Sequence, residues 1–319
     1  MILLLVNLFS IRSFNALYTD SSAHHFLSGN FIRYQNEIHH NAFALEVAGD
    51  VSLYSGEGFL LPVISQQFDN YFRWKRLLLS DGGITAEVLL DRLNLKYMGD
   101  FFTLSVGRQA ITFGKGHFIS IWDLFSPFQP YSIDFSFKRG TDALRVNAYR
   151  EYLNADIIIA FTGTKAVSAG TTFNFWDFSA NVVVRKDTFY AGYSVEGNLS
   201  SGILWSEGIF QRKGYLLSAG YDFYTSGGML SIGLSYGNST PRWYPLPRKQ
   251  FFLLLESNYI HGFSIIAGYW YGKSLHDIHL VYASIRRESG DNADISLYIA
   301  GSRFQSGFYM TGIYCRWFF

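Results

Sequence analysis

The chain has 319 residues, with 26 basic and 25 acidic side chains, a net charge of +1, 18% aromatics and one cysteine. Charged residues are 16% of the chain, against about 25% in an average soluble protein. Abundant aromatics exclude a disordered chain. The lone cysteine excludes a disulfide framework or a cysteine-based zinc site, and the near-zero net charge removes a whole-chain reason to bind nucleic acid.

The chain opens on the apolar run Met1 to Val6, far short of the roughly 20 residues that a membrane-spanning helix needs. It reads as the apolar region of a signal peptide, with Ser10 to Ala16 as a cleavage zone, or else as an N-terminal segment forming a buried strand. Residues 1–16 are set apart on this ground, and 17–319 are read as a single transmembrane barrel. The apolar run Phe251 to Leu255 is equally short, so helical spans are excluded.

From there on the period is two. In 84–91, Ile84, Ala86, Val88 and Leu90 oppose Thr85, Glu87 and Asp91. The phase then shifts, since in 91–97 the apolar set moves to odd positions, which predicts a bulge at Asp91 and Arg92. Later segments keep one apolar face against Gly and Ser. Phe189, Ala191, Tyr193 and Val195 oppose Gly192, Ser194 and Glu196. Leu217, Ala219, Tyr221 and Phe223 oppose Ser218, Gly220 and Asp222. Leu230, Ile232, Leu234 and Tyr236 oppose Ser231, Gly233, Ser235 and Gly237. Phe263, Ile265, Ala267, Tyr269 and Tyr271 oppose Ser264, Gly268 and Gly272. Successive strand side chains point to opposite faces. A soluble sandwich would set Lys, Glu and Thr against its apolar face, whereas small residues there fit a lumen with lipid outside. The pattern predicts an all-β, antiparallel transmembrane barrel of about 16 strands, within a range of 14 to 18, in an outer membrane.

Residues 91–145 depart from the rhythm. They carry Gly107-Arg108-Gln109, Gly114-Lys115, Asp123-Leu124-Phe125-Ser126-Pro127-Phe128 and Lys138-Arg139-Gly140-Thr141-Asp142-Ala143-Leu144-Arg145. A long aperiodic loop is uncommon and usually functional. This one is too aromatic to extend into water, so segment 113–137 is predicted to fold into the lumen. Arg108, Lys115, Asp123, Lys138, Arg139, Asp142 and Arg145 are then candidates to pair across a constriction, where charge sets pore selectivity.

These motifs resemble a family of porin-like outer-membrane proteins of Gram-negative bacteria. The family pattern is a strand ending Gly-Arg-Gln, then Trp-Gly, an Asp-Leu-Phe-Asn-Pro-Phe loop and a Gly-x-Asp-Ala-x-Arg strand. Gly107, Gln109, Gly114, Phe125, Pro127 and Phe128 fall on that pattern as anchors, while Phe113 and Ser126 depart from it. The resemblance implies a passive channel for small solutes or ions. The final strand, with Trp317 and Phe319 on one face, resembles the signal that the barrel-assembly machinery reads. Cys315 shares that face as a small hydrophobe.

Other motifs carry less. Gly233-Leu234-Ser235-Tyr236-Gly237 spells a nucleophile elbow, but within a strand rather than a strand–turn–helix. The adjacent pairs His24-His25 and His39-His40 cannot share a metal face on a strand. No Ser, His and carboxylate set collects on one face, so the chain is not read as an enzyme, and it calls for no cofactor and no metal. The expected partners are outer-membrane lipid, the assembly machinery and permeating solutes. The alternative function is a barrel sheath around a lumenal or periplasmic partner protein such as an electron-conduit cytochrome.

Overall fold

The structure, a computed structural model, describes residues 4–19, 24–56, 72, 74–112, 114–116, 120–125, 138–239, 249–257, 263–273, 277–288, 293–302 and 308–318. No described residue is helical. The strands are β1 (Leu4–Thr19), β2 (His24–His40), β3 (Phe43–Gly56), β4 (Lys75–Asp81), β5 (Ile84–Met98), β6 (Phe102–Gln109), β7 (Thr141–Arg150), β8 (Leu153–Ala160), β9 (Lys165–Phe173) and β10 (Trp176–Arg185). They continue as β11 (Thr188–Leu199), β12 (Gly202–Gln211), β13 (Gly214–Thr225), β14 (Gly228–Gly237), β15 (Lys249–Ser257), β16 (Phe263–Lys273), β17 (Asp277–Glu288), β18 (Ala293–Ser302) and β19 (Phe308–Phe318).

Among the described residues all pairings are antiparallel and join chain neighbours, except for β3 with β5 and the closing pair β1 with β19. β3 pairs along its length with β5, and β4 lies on the other edge of the first half of β5. The second half of β5 pairs with β6. β4 and β6 therefore share one place in the ring, one above the other. The ring closes where Ser10 to Thr19 of β1 pair with Phe318 to Tyr309 of β19. Among the described residues, nineteen strands less the displaced β4 leave eighteen around the ring, an even number as in single-chain barrels and the top of the expected range.

The N-terminal stretch is thus a wall strand. Leu4 to Thr19 also pair with His39 to His24 of β2. The predicted bulge is present: Ala48 faces Arg92 and Gly49 faces Leu90, so Asp91 is the extra residue. The bulge turns both Asp91 and Arg92 into the barrel, where both are buried.

The expected faces are also present. Leu217, Phe223, Ile232, Leu234, Tyr236, Phe263 and Ile265 are exposed on the outside, while Ser218, Asp222, Ser231, Ser235 and Ser264 are buried on the inside. At one end of the barrel the connections are two-residue turns at 41–42, 151–152, 174–175, 200–201 and 226–227. The opposite end carries the long connections 57–74, 110–140 and 238–248. Short turns mark the periplasmic end and long loops the outer end, so the loop between β6 and β7 enters from outside, on the same side as 238–248.

Removing residues 1–16 would strip the partner of both β2 and β19 from most of its length and leave two facing edges unpaired in the hydrocarbon. Such a truncated chain is expected to lose the heat-modifiable mobility of a closed barrel on cold SDS gels, which the full chain is expected to show.

Candidate functional site

The inside of the barrel is divided. Over β8 to β16 much of the inner wall is apolar, with Ile158, Tyr190, Trp205, Ile209, Leu216, Phe252 and Trp270 buried there. The Trp205 and Phe252 rings are stacked within 7° of parallel. Against this wall lies the loop that leaves β6, with Ile111, Ile121, Trp122, Leu124 and Phe125 in the same cluster. The loop is folded into the lumen for the reason its composition suggested: its aromatics find more apolar surface there than in water. The Trp122 ring N–H donates to the Tyr193 carbonyl at 3.0 Å. The Glu207 carboxylate on β12 accepts from the backbone N–H groups of Lys115, Gly116 and Ile121 at 2.6, 2.9 and 2.8 Å, and from the Ser120 hydroxyl at 2.8 Å.

The opposite wall, from β1, β2, β3 and β5, is charged. Asp50 accepts from Arg12 at 3.0 Å, Arg33 at 3.1 Å and Arg139 at 2.6 Å. Asp91 accepts from Arg33 at 2.8 Å, Arg92 at 2.7 Å and the backbone N–H of Gly140 at 3.0 Å. Glu37 and Glu46 stand directly opposite each other in register, a repulsive arrangement by itself. Lys96 bridges them, at 3.0 and 3.1 Å. The returning end of the loop is bound here: Arg139 on Asp50, Gly140 on Asp91, and the Lys138 carbonyl on the Arg92 guanidinium. The described parts of the loop therefore meet the β11–β12 wall at residues 115–122 and the β3–β5 wall at residues 138–140.

The predicted charges fall in five separate settings. Lys115, near the tip of the loop, pairs with Glu196 at 2.9 Å and Asp177 at 3.5 Å, and all three remain partly open to the lumen. The two carboxylates outweigh the cost of burial and raise the Lys115 ammonium above its usual range. Asp123 and Lys138 pair with each other inside the loop, Arg139 joins the charged wall, and Arg145 binds Asp156 of β8 at 2.6 Å.

Arg108 and Asp142 are placed differently from the other candidates. They pair at 2.8 Å on the face opposite Ala143, whose side chain belongs to the lumenal cluster. Adjacent strand residues point to opposite sides, which turns Asp142, and Arg108 across from it in register, to the outer side of the wall. There they stitch the seam where β4 gives way to β6. Arg108 donates to the Leu90 carbonyl at 2.9 Å and to the Phe72 carbonyl, and Asp142 accepts from the Phe72 N–H at 2.9 Å. Backbone groups freed by the strand break are thereby satisfied.

Among the motif anchors, Gly107 has φ +120°, and a Cβ there would sit 2.1 Å from the Leu93 carbonyl oxygen. Only glycine fits both constraints. Gln109 donates to the Ala143 carbonyl at 3.1 Å, and the Phe125 carbonyl accepts from Thr141 at 3.1 Å. Pro127, Phe128 and Phe319 lie outside the described residues. Trp317 is on β19, in register with Ile11 and Ala293. The residues that sequence reasoning missed are Arg12, Arg33, Asp50 and Glu207. Each falls on the inward parity of its strand, a signal visible in the alternation, but their pairing joins strands distant in sequence.

The backbone fold is similar to that of solved structures. Pseudomonas aeruginosa OccK2 (OpdF) aligns with a TM-score of 0.67 at 10% identity, over 98% of this chain and 97% of that chain. Acinetobacter baumannii OccAB4 gives 0.65 at 10%, over 98% of each chain. Pseudomonas aeruginosa OpdK, solved with vanillate, gives 0.62 at 9%, also over 98% of each. The fold is that of outer-membrane barrels. No family model matches the sequence, and no curated protein does, so the likeness is one of backbone architecture.

Asp123 supplies a pH-dependent test. Burial pushes its carboxyl from 3.8 up to about 6, against the pull of Lys138, and burial also lowers Lys138. A carboxyl raised in the folded state contributes stability fully below its unfolded value and loses it as pH rises through the folded one. The thermal midpoint in detergent is therefore expected to carry a component that falls by a few degrees between pH 3.8 and about 6. Asp123→Asn should flatten that component.

Proposed function

We propose that the protein is a passive channel of the outer membrane, carrying small solutes or ions through a lumen narrowed by the inward loop. The observation that carries this reading is the crossing loop itself, bound to Glu207 and Tyr193 on one wall and to Asp50 and Asp91 on the other. Beside it are charges that stay partly exposed inside the barrel: Lys96, Lys115, Arg145 and Glu196. A charged, partly hydrated constriction selects permeating ions by sign. The sheath reading requires room for a partner protein, and the loop's own aromatics take up one side of the lumen. The resemblance of the last strand to an assembly signal, through Trp317 and Phe319, supports recognition by the barrel-assembly machinery.

Purified protein in planar bilayers is expected to give stepwise conductance, and vanillate, the ligand held by one similar structure, is a first solute to test as a blocker. Folded protein that never conducts would overturn the reading. Asp50 shapes the ion preference in this scheme, since its one negative charge is shared among three guanidiniums. Asp50→Asn removes one negative charge from the arginine cluster. The reversal potential in a salt gradient is expected to move toward anion preference, measured on protein that still shows heat-modifiable mobility.

A further inference from the structure

The loop's hold on the β12 wall converges on one side chain. Glu207 is completely buried, and its two oxygens receive three backbone N–H groups and one hydroxyl from residues 115, 116, 120 and 121. Oε1 takes the N–H groups of Lys115 and Gly116, Oε2 takes the N–H of Ile121, and the Ser120 hydroxyl reaches both oxygens at 2.8 and 3.0 Å. Ser120 Oγ in turn accepts from the Trp122 N–H at 3.1 Å. The chain closes around the carboxylate through Gly114, which has φ +146°. A Cβ there would meet Ser120 Oγ at 2.0 Å and Glu207 Oε1 at 2.7 Å. Backbone N–H groups gathered on a carboxylate form a nest, and bonds to an ionised acceptor are stronger than neutral ones. No ammonium or guanidinium is among these bonded partners of Glu207, so the loop's backbone N–H groups and the Ser120 hydroxyl supply the compensation for burying its carboxylate. The arrangement is also specific in sign, since every group aimed at Glu207 is a donor.

We propose that Glu207 is a positioning residue that sets the bore of the channel. Its carboxylate latches the tip of the inward loop against β12, and so places Lys115 over Glu196 and Asp177 in the lumen. This rests on the channel reading and adds the determinant of solute size to it. Asp123, Lys138 and Arg139 hold the other end of the loop, so loss of the latch frees the tip while the return to β7 stays bound.

The test uses the full-length protein refolded in detergent and placed in planar bilayers and liposomes. Glu207→Gln keeps the shape but faces two N–H donors against the loop's own donors, and Glu207→Ala removes the acceptor. Gly114→Ala breaks the same latch from the loop side and leaves the wall intact. All three are expected to keep heat-modifiable mobility, to raise single-channel conductance by about twofold or more, and to admit larger sugars in a liposome-swelling assay. Combining Gly114→Ala with Glu207→Gln should add nothing further, because both act on one contact. A conducting wild type whose conductance and size cut-off are unchanged in folded Glu207→Gln and Gly114→Ala would overturn the latch and leave the channel reading standing. A folded wild type that does not conduct would overturn the channel reading instead. Should Glu207→Ala fail to fold, the Gln and Gly114→Ala variants carry the decision.

Discussion

A sheet that presents Leu, Ile, Val and Phe outward and its polar groups inward is stable in a bilayer only if every backbone N–H and C=O within the hydrocarbon has a partner. Closure of the sheet meets this condition, and the rest of the molecule follows from it. The closing pair is β1 with β19, so the first and last segments of the chain are structurally neighbours. Closure also fixes which parity of each strand faces inward. That brings Arg12, Arg33, Asp50, Asp91 and Arg92, from four strands, into one buried ionic cluster.

The same condition explains the one irregular place in the wall. β4 and β6 share a position beside β5, and between them the ladder is interrupted. Arg108 and Asp142 occupy that break and bind the backbone of Leu90 and Phe72. A charged pair on the outer side of a membrane wall is expensive unless each charge is paired and its remaining hydrogen-bonding groups are used. Here the strand break supplies those groups. A residue pair that looks like part of a pore in the sequence is a structural seam in the fold.

The lumen is then shaped by two kinds of adhesion. On the β8–β16 side the loop is held by apolar contact and by hydrogen bonds to Tyr193 and Glu207. On the β1–β5 side it is held by ion pairs and by the Gly140 N–H. Apolar contact is non-directional and sets where the loop lies. The carboxylates fix its register, because each accepts from particular donors. Buried ionic clusters contribute little net stability but make alternatives costly, which suits an element that must keep one position inside a water-accessible barrel.

By itself the sequence determined the all-β class, the inward and outward faces, the bulge at Asp91 and the inward course of the aromatic loop. Each of these is written in local alternation or composition, which one strand or one loop displays without its neighbours. Period two requires only successive residues, and a phase shift requires only one extra. Tertiary structure alone decided that residues 4–19 close the ring, that the loop enters from the end with the long connections, that Arg108 and Asp142 face outward, and that Asp50 and Glu207 are its anchors. Those outcomes depend on strand register, on side-chain contacts between residues 34 to 92 positions apart, and on the pairing of Ser10 with Phe318. Alternation tells which side of the wall a charge is on, and only closure of the sheet tells which opposite charge it meets there.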